Sequence, residues 1–136
     1  MNNVEIARKI ATKAHKGQFR WDGITPYITH PQAVSCAVKD DNAKCVAWLH
    51  DVVEDTDITI QDLKNEYFSA PIIEAVDVLT RRKSQDYLSY LLLCKNNPLA
   101  RIVKIADITH NLSDLEYEKN HSRYEKYILA KYILEI

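Results

Sequence analysis

The chain contains only two glycines, Gly17 and Gly23, among its 136 residues. Tight β-hairpins, P-loops and the dinucleotide-binding turn of Rossmann folds all need glycine, either for a positive φ or for close approach of the backbone to a phosphate. So few glycines therefore argue against a β-sandwich, a P-loop fold and a Rossmann fold. The sequence predicts a chain that is almost entirely helical.

Apolar residues recur at helical spacing through most of the chain, and turn or capping signals separate the segments. Thr59, Ser84 and Ser122 are predicted N-caps, because a side-chain oxygen at that position accepts a backbone N–H of the first turn. The predicted helices cover residues 3–15, 30–38, 42–55, 59–67, 71–80, 84–95, 98–115 and 122–136. Seven or eight helices with short connections predict an all-α fold, a single-domain helical bundle over residues 1–136.

The overall composition narrows the partners that we expect. Lys plus Arg total 18 and Asp plus Glu total 19, which gives a net charge of −1 and argues against a strongly basic nucleic-acid binder. The three cysteines are far apart and form no C-x-x-C, so a disulfide scaffold or zinc ribbon is not expected. There is no apolar run of about 20 residues and no signal-peptide core in MNNVEIARKI, so we expect a cytoplasmic protein without a membrane segment.

An unusual cluster of acidic residues lies at the end of the third predicted helix, in the segment HDVVEDTD (50–57). His50 and Glu54 are spaced i,i+4, as are Asp51 and Asp55, so the imidazole and the carboxylates share one helix end. A helix C-terminus carries partial negative charge and prefers cations. A bound divalent cation would offset this crowding, while a solvated acidic helix end is the alternative.

Two further residues favour a metal site. His30 lies at the junction between a loop and a helix, and Asp107 lies among apolar residues in RIVKIADITHNL (101–112). A lone buried carboxylate is costly, so an Asp in such a segment is usually paired or bound. Together with His50 and Asp51 these residues supply two imidazoles and two carboxylates, a set that suits Mn²⁺, Fe²⁺ or Zn²⁺. Spacing alone does not establish that the three segments meet.

The order of these residues resembles the H…HD…D pattern of the HD-domain metal-dependent phosphohydrolases. Three longer segments, AHKGQFRWDGITPYITHP (14–31), AWLHDVVEDTDIT (47–59) and ARIVKIADITHNL (100–112), are similar to the hydrolase domain of Rel/Spo-type enzymes. Those enzymes remove the 3′-pyrophosphate of the alarmone (p)ppGpp. The resemblance extends over about residues 4–116 and implies a small stand-alone hydrolase, because the chain has no room for their synthetase and regulatory domains.

The resemblance also implies a role for individual residues. The implied metal ligands are His30, His50, Asp51 and Asp107, with Mn²⁺ as the implied cofactor and another divalent metal as the alternative. The implied catalytic pair, which would orient or deprotonate the attacking water, is Glu54 and Asp55. The residues expected to contact the nucleotide are Arg20, Trp21, Tyr27, Lys104 and Asn111.

The expected nucleotide contacts differ in kind. Arg20 matches the arginine that packs against the guanine base, Asn111 matches an asparagine of the nucleotide pocket, and Tyr27 would shape the pocket wall. Trp21 is either a base-stacking surface or the anchor of a lid. Lys104 shares a helix face with the carboxylate three residues later and is expected to meet phosphates.

The chain departs from the Rel/Spo-type pattern at three points. Trp21 and Ser113 stand where basic residues are often found, and the loop between Arg20 and His30 is one residue longer. The basic segment 81–83 would restore positive charge near the phosphates if it folds over the site, and is otherwise a solvated turn.

Several readings of the function remain open at this point. A phosphohydrolase for another nucleotide or phosphoester is one alternative, and a nucleotide-binding module without turnover or a purely structural bundle are others. A homo-oligomer is also possible, since the tyrosines of the last helix could pack on the bundle or on a partner chain.

Overall fold

The computed structural model describes residues 2–136 and confirms the all-α prediction. Over this range there are nine α-helices, one 3₁₀ turn and no strand, and Phe19 and Pro26 form an isolated antiparallel bridge. The helices are α1 (Asn3–Ala14), α2 (Thr29–Cys36), α3 (Asp41–Leu49), α4 (Val52–Asp55), α5 (Ile60–Asn65), α6 (Ala70–Leu79), α7 (Tyr87–Asn96), α8 (Pro98–Asp114) and α9 (His121–Glu135). The 3₁₀ turn covers Tyr117–Lys119.

The number of helices exceeds the prediction by one because the helix expected over residues 42–55 is broken. α3 ends at Leu49 and the single turn of α4 begins at Val52, with His50 and Asp51 between them. The His50 Nδ1 atom lies 2.6 Å from the carbonyl oxygen of Ala47, which the Asp51 N–H would take in an uninterrupted helix. The side chain therefore replaces the backbone at this turn and ends the helix.

The helix starts show how local chemistry decides boundaries. Thr59 and Asp62 form the predicted capping box of α5, with both reciprocal hydrogen bonds present. α7 begins later than predicted because Asp86, not Ser84, accepts the N–H of Ser89. α9 begins at His121, one residue before the predicted cap, and has no side-chain cap.

Helix α3 is the centre of the bundle and packs against α1, α2, α6 and α8. Its residues Val46, Ala47 and Leu49 are completely buried, and the other apolar side chains of the core surround them. α9 lies outside on α7 and α8. The packing brings the start of α2, the end of α3 and the middle of α8 to one place.

The loop between α1 and α2 contains both glycines of the chain. Gly17 has φ of +84° and Gly23 has φ of +71°, a region that residues with a Cβ rarely adopt. The loop can therefore turn twice and return Tyr27 toward the core. Within residues 2–136, no helix has the length and apolar character needed to cross a membrane.

Candidate metal centre and active site

Three side chains that are far apart in the sequence converge at the junction of α2, α3 and α8. One ligand atom from each of His30, His50 and Asp107 lies within 4.8 Å of the others. The Oδ1 atom of Asp107 is 2.8 Å from Nε2 of His30 and 3.5 Å from Nε2 of His50. The fourth predicted ligand joins them, since Asp51 Oδ2 is 3.0 Å from His50 Nε2 and 3.8 Å from His30 Nε2.

The arrangement around His50 fits a cation. Its Nδ1 atom is held by the Ala47 carbonyl, which can only accept, so Nδ1 carries a hydrogen. In the neutral ring the lone pair is therefore on Nε2, which is buried, has no hydrogen-bond partner and lies against the carboxylates of Asp51 and Asp107. A lone pair and two carboxylates repel one another unless a proton or a metal ion lies between them. These donors suit a divalent metal ion, and the hydrogen bond from Nδ1 to the Ala47 carbonyl fixes the tautomer whose Nε2 lone pair can bind it.

His30 is oriented in a similar way by His110, which is not among the predicted site residues. Its Nδ1 atom lies 2.7 Å from Nδ1 of His110, and the two rings are stacked with centroids 5.0 Å apart. Its other nitrogen, Nε2, is thereby directed at Asp107. Burial, and then the neighbouring His30, lower the pKa of His110, so a neutral His110 can accept the hydrogen of His30.

Opposite charges compensate the burial of the carboxylates. Burial would raise the pKa of Asp107, but the ammonium group of Lys104, with Nζ 2.9 Å from Oδ2, and the two histidines hold it well below its usual value. Burial likewise disfavours charge on His50, yet the carboxylates of Asp51 and Asp107 outweigh burial and raise the pKa of His50 well above its ordinary value. Without a metal ion, these two carboxylates therefore favour a protonated His50.

A second layer of hydrogen bonds fixes the two carboxylates. The Tyr27 hydroxyl donates to Oδ2 of Asp51 at 2.5 Å, and the Asn111 amide donates to Oδ1 of Asp107 at 3.2 Å. Burial, followed by the charge of Asp51, keeps the pKa of Tyr27 far above neutral, so this phenol remains a donor. Tyr27 thus acts on Asp51 as well as lining the cavity wall, a contact that the sequence did not predict.

Glu54 and Asp55 lie beside this centre, and their pKa values are both raised. Glu54 Oε1 accepts the backbone N–H of Arg81 at 2.7 Å, while burial raises the pKa of its carboxyl group. Burial, and then the charges of Asp51 and Glu54, raise the pKa of Asp55 to about 6. Carboxyl groups with pKa values near the working pH are suited to proton transfer.

A cavity of about 410 Å³ opens above these residues. Ten of the eleven predicted site residues line it, and the eleventh, His50, lies buried behind them. The ten are Arg20, Trp21, Tyr27, His30, Asp51, Glu54, Asp55, Lys104, Asp107 and Asn111. The structure thus places in or behind one cavity the residues that the sequence predicted in separate segments.

The predicted base contact, Arg20, has more partners than expected. Its Nη2 atom donates to Asn111 Oδ1 at 3.1 Å and to Asp114 Oδ2 at 3.0 Å, and only 7% of the residue is exposed. The ring of Trp21 lies against the guanidinium, 4.3 Å from Cζ to the ring centroid. One face of Arg20 is therefore covered by an indole of the chain itself, and Asn111 links Arg20 to Asp107.

Several residues of the site were missed by sequence reasoning. Phe19 and Tyr127 also line the cavity. The Gln18 side chain bridges two residues: its Oε1 atom lies 2.8 Å from Nδ1 of His15, and its Nε2 atom donates to the carbonyl oxygen of Asp55 at 3.0 Å. Gln18 and His15 belong to the AHKGQ segment that signalled the resemblance, so a signal existed for them. Tyr127 comes from α9, and nothing in its local pattern connects it to the cavity.

Comparisons with known proteins agree with the motifs. A guanosine-3′,5′-bis(diphosphate) 3′-pyrophosphohydrolase of Haemophilus influenzae is 37% identical over 142 aligned positions, covering 93% of this chain and 20% of that protein. The bifunctional (p)ppGpp synthase/hydrolase SpoT of Escherichia coli is 34% identical over 120 positions, covering 78% of this chain and 17% of that protein. The chain thus spans about a fifth of the length of these curated relatives. No protein-family model matches the sequence.

A solved structure supports the fold independently. It is a metazoan ortholog of SpoT, described as hydrolysing ppGpp, with a TM-score of 0.74 and 24% sequence identity. The similarity covers 98% of this chain and 84% of that one. The resemblance to Rel/Spo-type enzymes is confirmed by the sequence relatives, and the helical fold by the solved structure.

Proposed function

We propose, from the premise that this chain is a relative of the Rel/Spo-type (p)ppGpp enzymes, that it is a metal-dependent phosphohydrolase that removes the 3′-pyrophosphate of (p)ppGpp. The observation that carries the proposal is the convergence of His30, His50 and Asp107, with the orphaned Nε2 atom of His50 facing two carboxylates. Glu54 and Asp55 line the same cavity. All of the residues proposed to act belong to the single hydrolase domain predicted for residues 1–136.

We assign the metal site to His30, His50, Asp51 and Asp107, with Mn²⁺ as the cofactor. Mixed imidazole and carboxylate donors suit this ion, although other divalent ions share the preference. When bound, a divalent cation polarises a phosphoryl oxygen and lowers the pKa of a coordinated water toward about 7.

The acid–base work is assigned to Glu54 and Asp55. Asp55, whose pKa is about 6, is largely ionised at neutral pH and can accept the proton of the attacking water. Glu54 is held at Oε1 by the Arg81 N–H, so its other oxygen is available to orient that water. Both carboxylates line the cavity in which that water would lie.

The nucleotide contacts are assigned to Arg20, Trp21, Asn111, Tyr27 and Lys104. Arg20 and Trp21 together form a flat cationic and aromatic surface suited to a purine base. Lys104 remains bound to Asp107, and its ammonium has further N–H donors for a phosphate oxygen.

The first test measures release of pyrophosphate from ppGpp by the purified protein, with Mn²⁺ present and after chelation. Metal-dependent release of pyrophosphate, with GDP as the other product, is the expected result. No release from the Mn²⁺-loaded protein would contradict the choice of substrate.

A second candidate differs only in substrate. Trp21 covers one face of Arg20, and Ser113 donates to the His110 carbonyl at 2.6 Å instead of presenting a basic side chain. Both features favour a test of other phosphorylated nucleotides. Turnover of one of these in the absence of ppGpp hydrolysis would select this candidate, and tight binding of nucleotide without turnover would select a regulatory module.

A further inference from the structure

The amide of Gln18 takes the place of a backbone hydrogen bond at the end of α4. This helix has four residues, so the Asp55 carbonyl lies in its last turn, beyond which the helix offers no further N–H. The Thr59 N–H would donate to this carbonyl if the helix continued, but it donates to Asp62 Oδ2 instead. The Nε2 atom of Gln18 donates to the Asp55 carbonyl at 3.0 Å. The loop after α1 is thereby tied to the turn that carries the proposed catalytic pair.

His15 fixes the orientation of the Gln18 amide. A backbone carbonyl can only accept, so the Nε2 end of the amide faces Asp55 and its Oε1 atom faces the imidazole, 2.8 Å from Nδ1 of His15. Because Oε1 can also only accept, the hydrogen of the imidazole is on Nδ1. Without that hydrogen the amide would be free to turn over, and its donor would leave the Asp55 carbonyl.

The surroundings of His15 favour this tautomer. Only 2% of the residue is exposed, and burial lowers its pKa despite the Gln18 hydrogen bond and the charge of Asp51, so the ring is neutral at neutral pH. The single hydrogen of the neutral ring is used at Nδ1, and Nε2 is buried with no hydrogen-bond partner in the described chain. An apolar ring would fill the same space without leaving a polar atom unpaired. The imidazole therefore has a use beyond packing, and its contact with Gln18 identifies that use.

The same imidazole packs against the residue that holds a proposed metal ligand. The ring centroids of His15 and Tyr27 are 4.9 Å apart, and the Tyr27 hydroxyl donates to Asp51. His15 thus lies between two supports, one for Asp51 and one for Asp55. The two carboxylates are one turn apart, and the Asp55 N–H donates to the Asp51 carbonyl at 3.0 Å. A shift of α4 would therefore move the proposed base relative to the metal site.

Gln18 acts from outside the cavity in which the substrate would lie. Of the described residues, Asp55 lines both that cavity and a crevice of about 620 Å³, whereas Gln18 lines only the crevice. A contact of this kind positions a reacting group through its supporting shell. A misplacement of about 1 Å can slow a reaction about 100-fold, so even a partly exposed hydrogen bond at this turn affects the rate.

We propose that His15 and Gln18 are positioning residues, which hold the turn that carries Asp55 in place beside the metal site. This inference rests on the proposed function, in which Asp55 accepts the proton of the attacking water. Gln18 supplies the contact, and His15 keeps its amide in the donating orientation. Both residues act through Asp55 and not on the reacting atoms.

The test measures kcat, KM and Mn²⁺ content for hydrolysis of ppGpp. Gln18→Met keeps the length of the side chain without its polar atoms, and it is expected to lower kcat about tenfold while KM and Mn²⁺ content stay those of the wild type. His15→Phe should have an equal effect, because it keeps a ring against Tyr27 and removes the Nδ1 hydrogen. His15→Asn offers an N–H at the same position and should recover part of the loss. Gln61→Met is the matched control, since the Gln61 amide donates to Asn65 within α5.

A double variant decides whether the two residues act together. His15→Phe combined with Gln18→Met should lose no more kcat than either change alone, because both remove one hydrogen-bonded link. Losses that multiply, or a loss of Mn²⁺ content in place of kcat, would overturn the positioning role and leave the hydrolase in place. Wild-type kcat in Gln18→Met, or an equal loss in Gln61→Met, would overturn it as well.

A measurement without turnover separates this inference from the proposed function. The Thr56 N–H donates to the Val52 carbonyl at 3.1 Å and closes α4. In the chelated protein, NMR should show this amide exchanging with solvent about fivefold faster in Gln18→Met, the factor expected for one lost hydrogen bond, and unchanged in Gln61→Met. This result would support the role of Gln18 even if the wild type does not hydrolyse ppGpp. Unchanged exchange in Gln18→Met would overturn it.

Discussion

The floor and the rim of the proposed active-site cavity differ in burial and in the pairing of their charges. The floor is defined as His30, His50, Asp51 and Asp107; the two histidines and Asp107 are buried and Asp51 is partly buried. The imidazole nitrogens and carboxylate oxygens of the floor lie 2.8 to 3.8 Å apart. The rim, defined as Trp21, Arg81, Arg123 and Lys126, carries three cations without a carboxylate partner, and 44% of Trp21 is exposed. A preorganised floor suits chemistry, and a rim of unpaired cations suits selection of the substrate.

The largest expected effect is at the floor. Asp51→Ala removes one metal ligand and should reduce kcat/KM about 1,000-fold or more, since several kcal/mol of transition-state stabilisation is lost and each 1.4 kcal/mol is tenfold. The side chain is 18% exposed, so the fold should be retained. Activity is measured with Mn²⁺ and folding by circular dichroism. Full activity without bound metal would contradict the metal assignment.

A second floor substitution should damage the fold as well. Asp107→Ala leaves the ammonium of Lys104, whose side chain is 14% exposed, without its partner, because their 2.9 Å pair is the only ion pair that Lys104 makes in the described chain. Breaking a buried pair in this way costs about 3–5 kcal/mol of unfolding free energy. Urea unfolding of the two metal-free variants compares them. Equal stability of Asp51→Ala and Asp107→Ala would show that Lys104 finds another partner or is hydrated.

Next in size is the catalytic pair beside the floor. Glu54→Gln and Asp55→Asn keep the shape of each side chain and remove its charge, and each should lower kcat at least about 100-fold if it moves or orients a proton. Metal content, measured by elemental analysis, should stay that of the wild type. A variant with normal kcat would remove its residue from the catalytic assignment.

The pH dependence of Mn²⁺ binding should depend on the floor residues and not on the rim residues. In the metal-free protein the Asp51 and Asp107 carboxylates keep the pKa of His50 raised, so a metal ion must displace the His50 proton. The affinity for Mn²⁺ should therefore rise about tenfold for each pH unit, as long as the pH is below the pKa of His50. If the pKa of His50 were lowered instead, the ring would already be deprotonated and the affinity would not change with pH in this range. Calorimetry at pH 6, 7 and 8 in buffers of different ionisation enthalpy measures this. Lys126→Gln should show the same slope, and a flat profile for the wild type would mean that metal-free His50 is neutral.

The contrast between floor and rim also explains what the sequence could and could not predict. The floor residues belong to short motifs, and each motif indicates its chemistry without reference to the others. His50 and Asp51, which precede an acidic turn, are an example. Their convergence depends on α3 packing between α2 and α8, which the spacing within each segment does not encode. The helices were predictable from apolar periodicity, but the break after Leu49 was not, because it depends on a side-chain bond to a backbone carbonyl.

The sequence indicated only two of the four rim residues, Trp21 and, in the basic segment 81–83, Arg81; the other two were missed for a physical reason. Arg123 and Lys126 lie on a helix whose exposed face is typical of ordinary solvated charge. Only the packing of α9 onto α7 and α8 brings Arg123 to the ring of Trp21 and Lys126 to the ring of Tyr87. Trp21 was left as a stacking surface or a lid anchor. In the structure its ring contacts two guanidinium groups, with Cζ of Arg20 at 4.3 Å and Cζ of Arg123 at 5.7 Å from the ring centroid.

The smallest expected effect therefore belongs to Trp21. Trp21→Ala removes two cation–π contacts, each contributing about 0.5–1 kcal/mol at an exposed site, and leaves the Arg20 hydrogen bonds to Asn111 and Asp114 in place. KM for ppGpp should rise about two- to fivefold, which corresponds to the loss of about one such contact with the base, while kcat is unchanged. Trp21→Phe should recover part of the loss because it keeps a ring. Tyr132→Ala, which removes an exposed aromatic side chain from α9, is the control. A fall in kcat in Trp21→Ala would mean that the rim positions the reacting groups, and the division of labour between floor and rim would then be wrong.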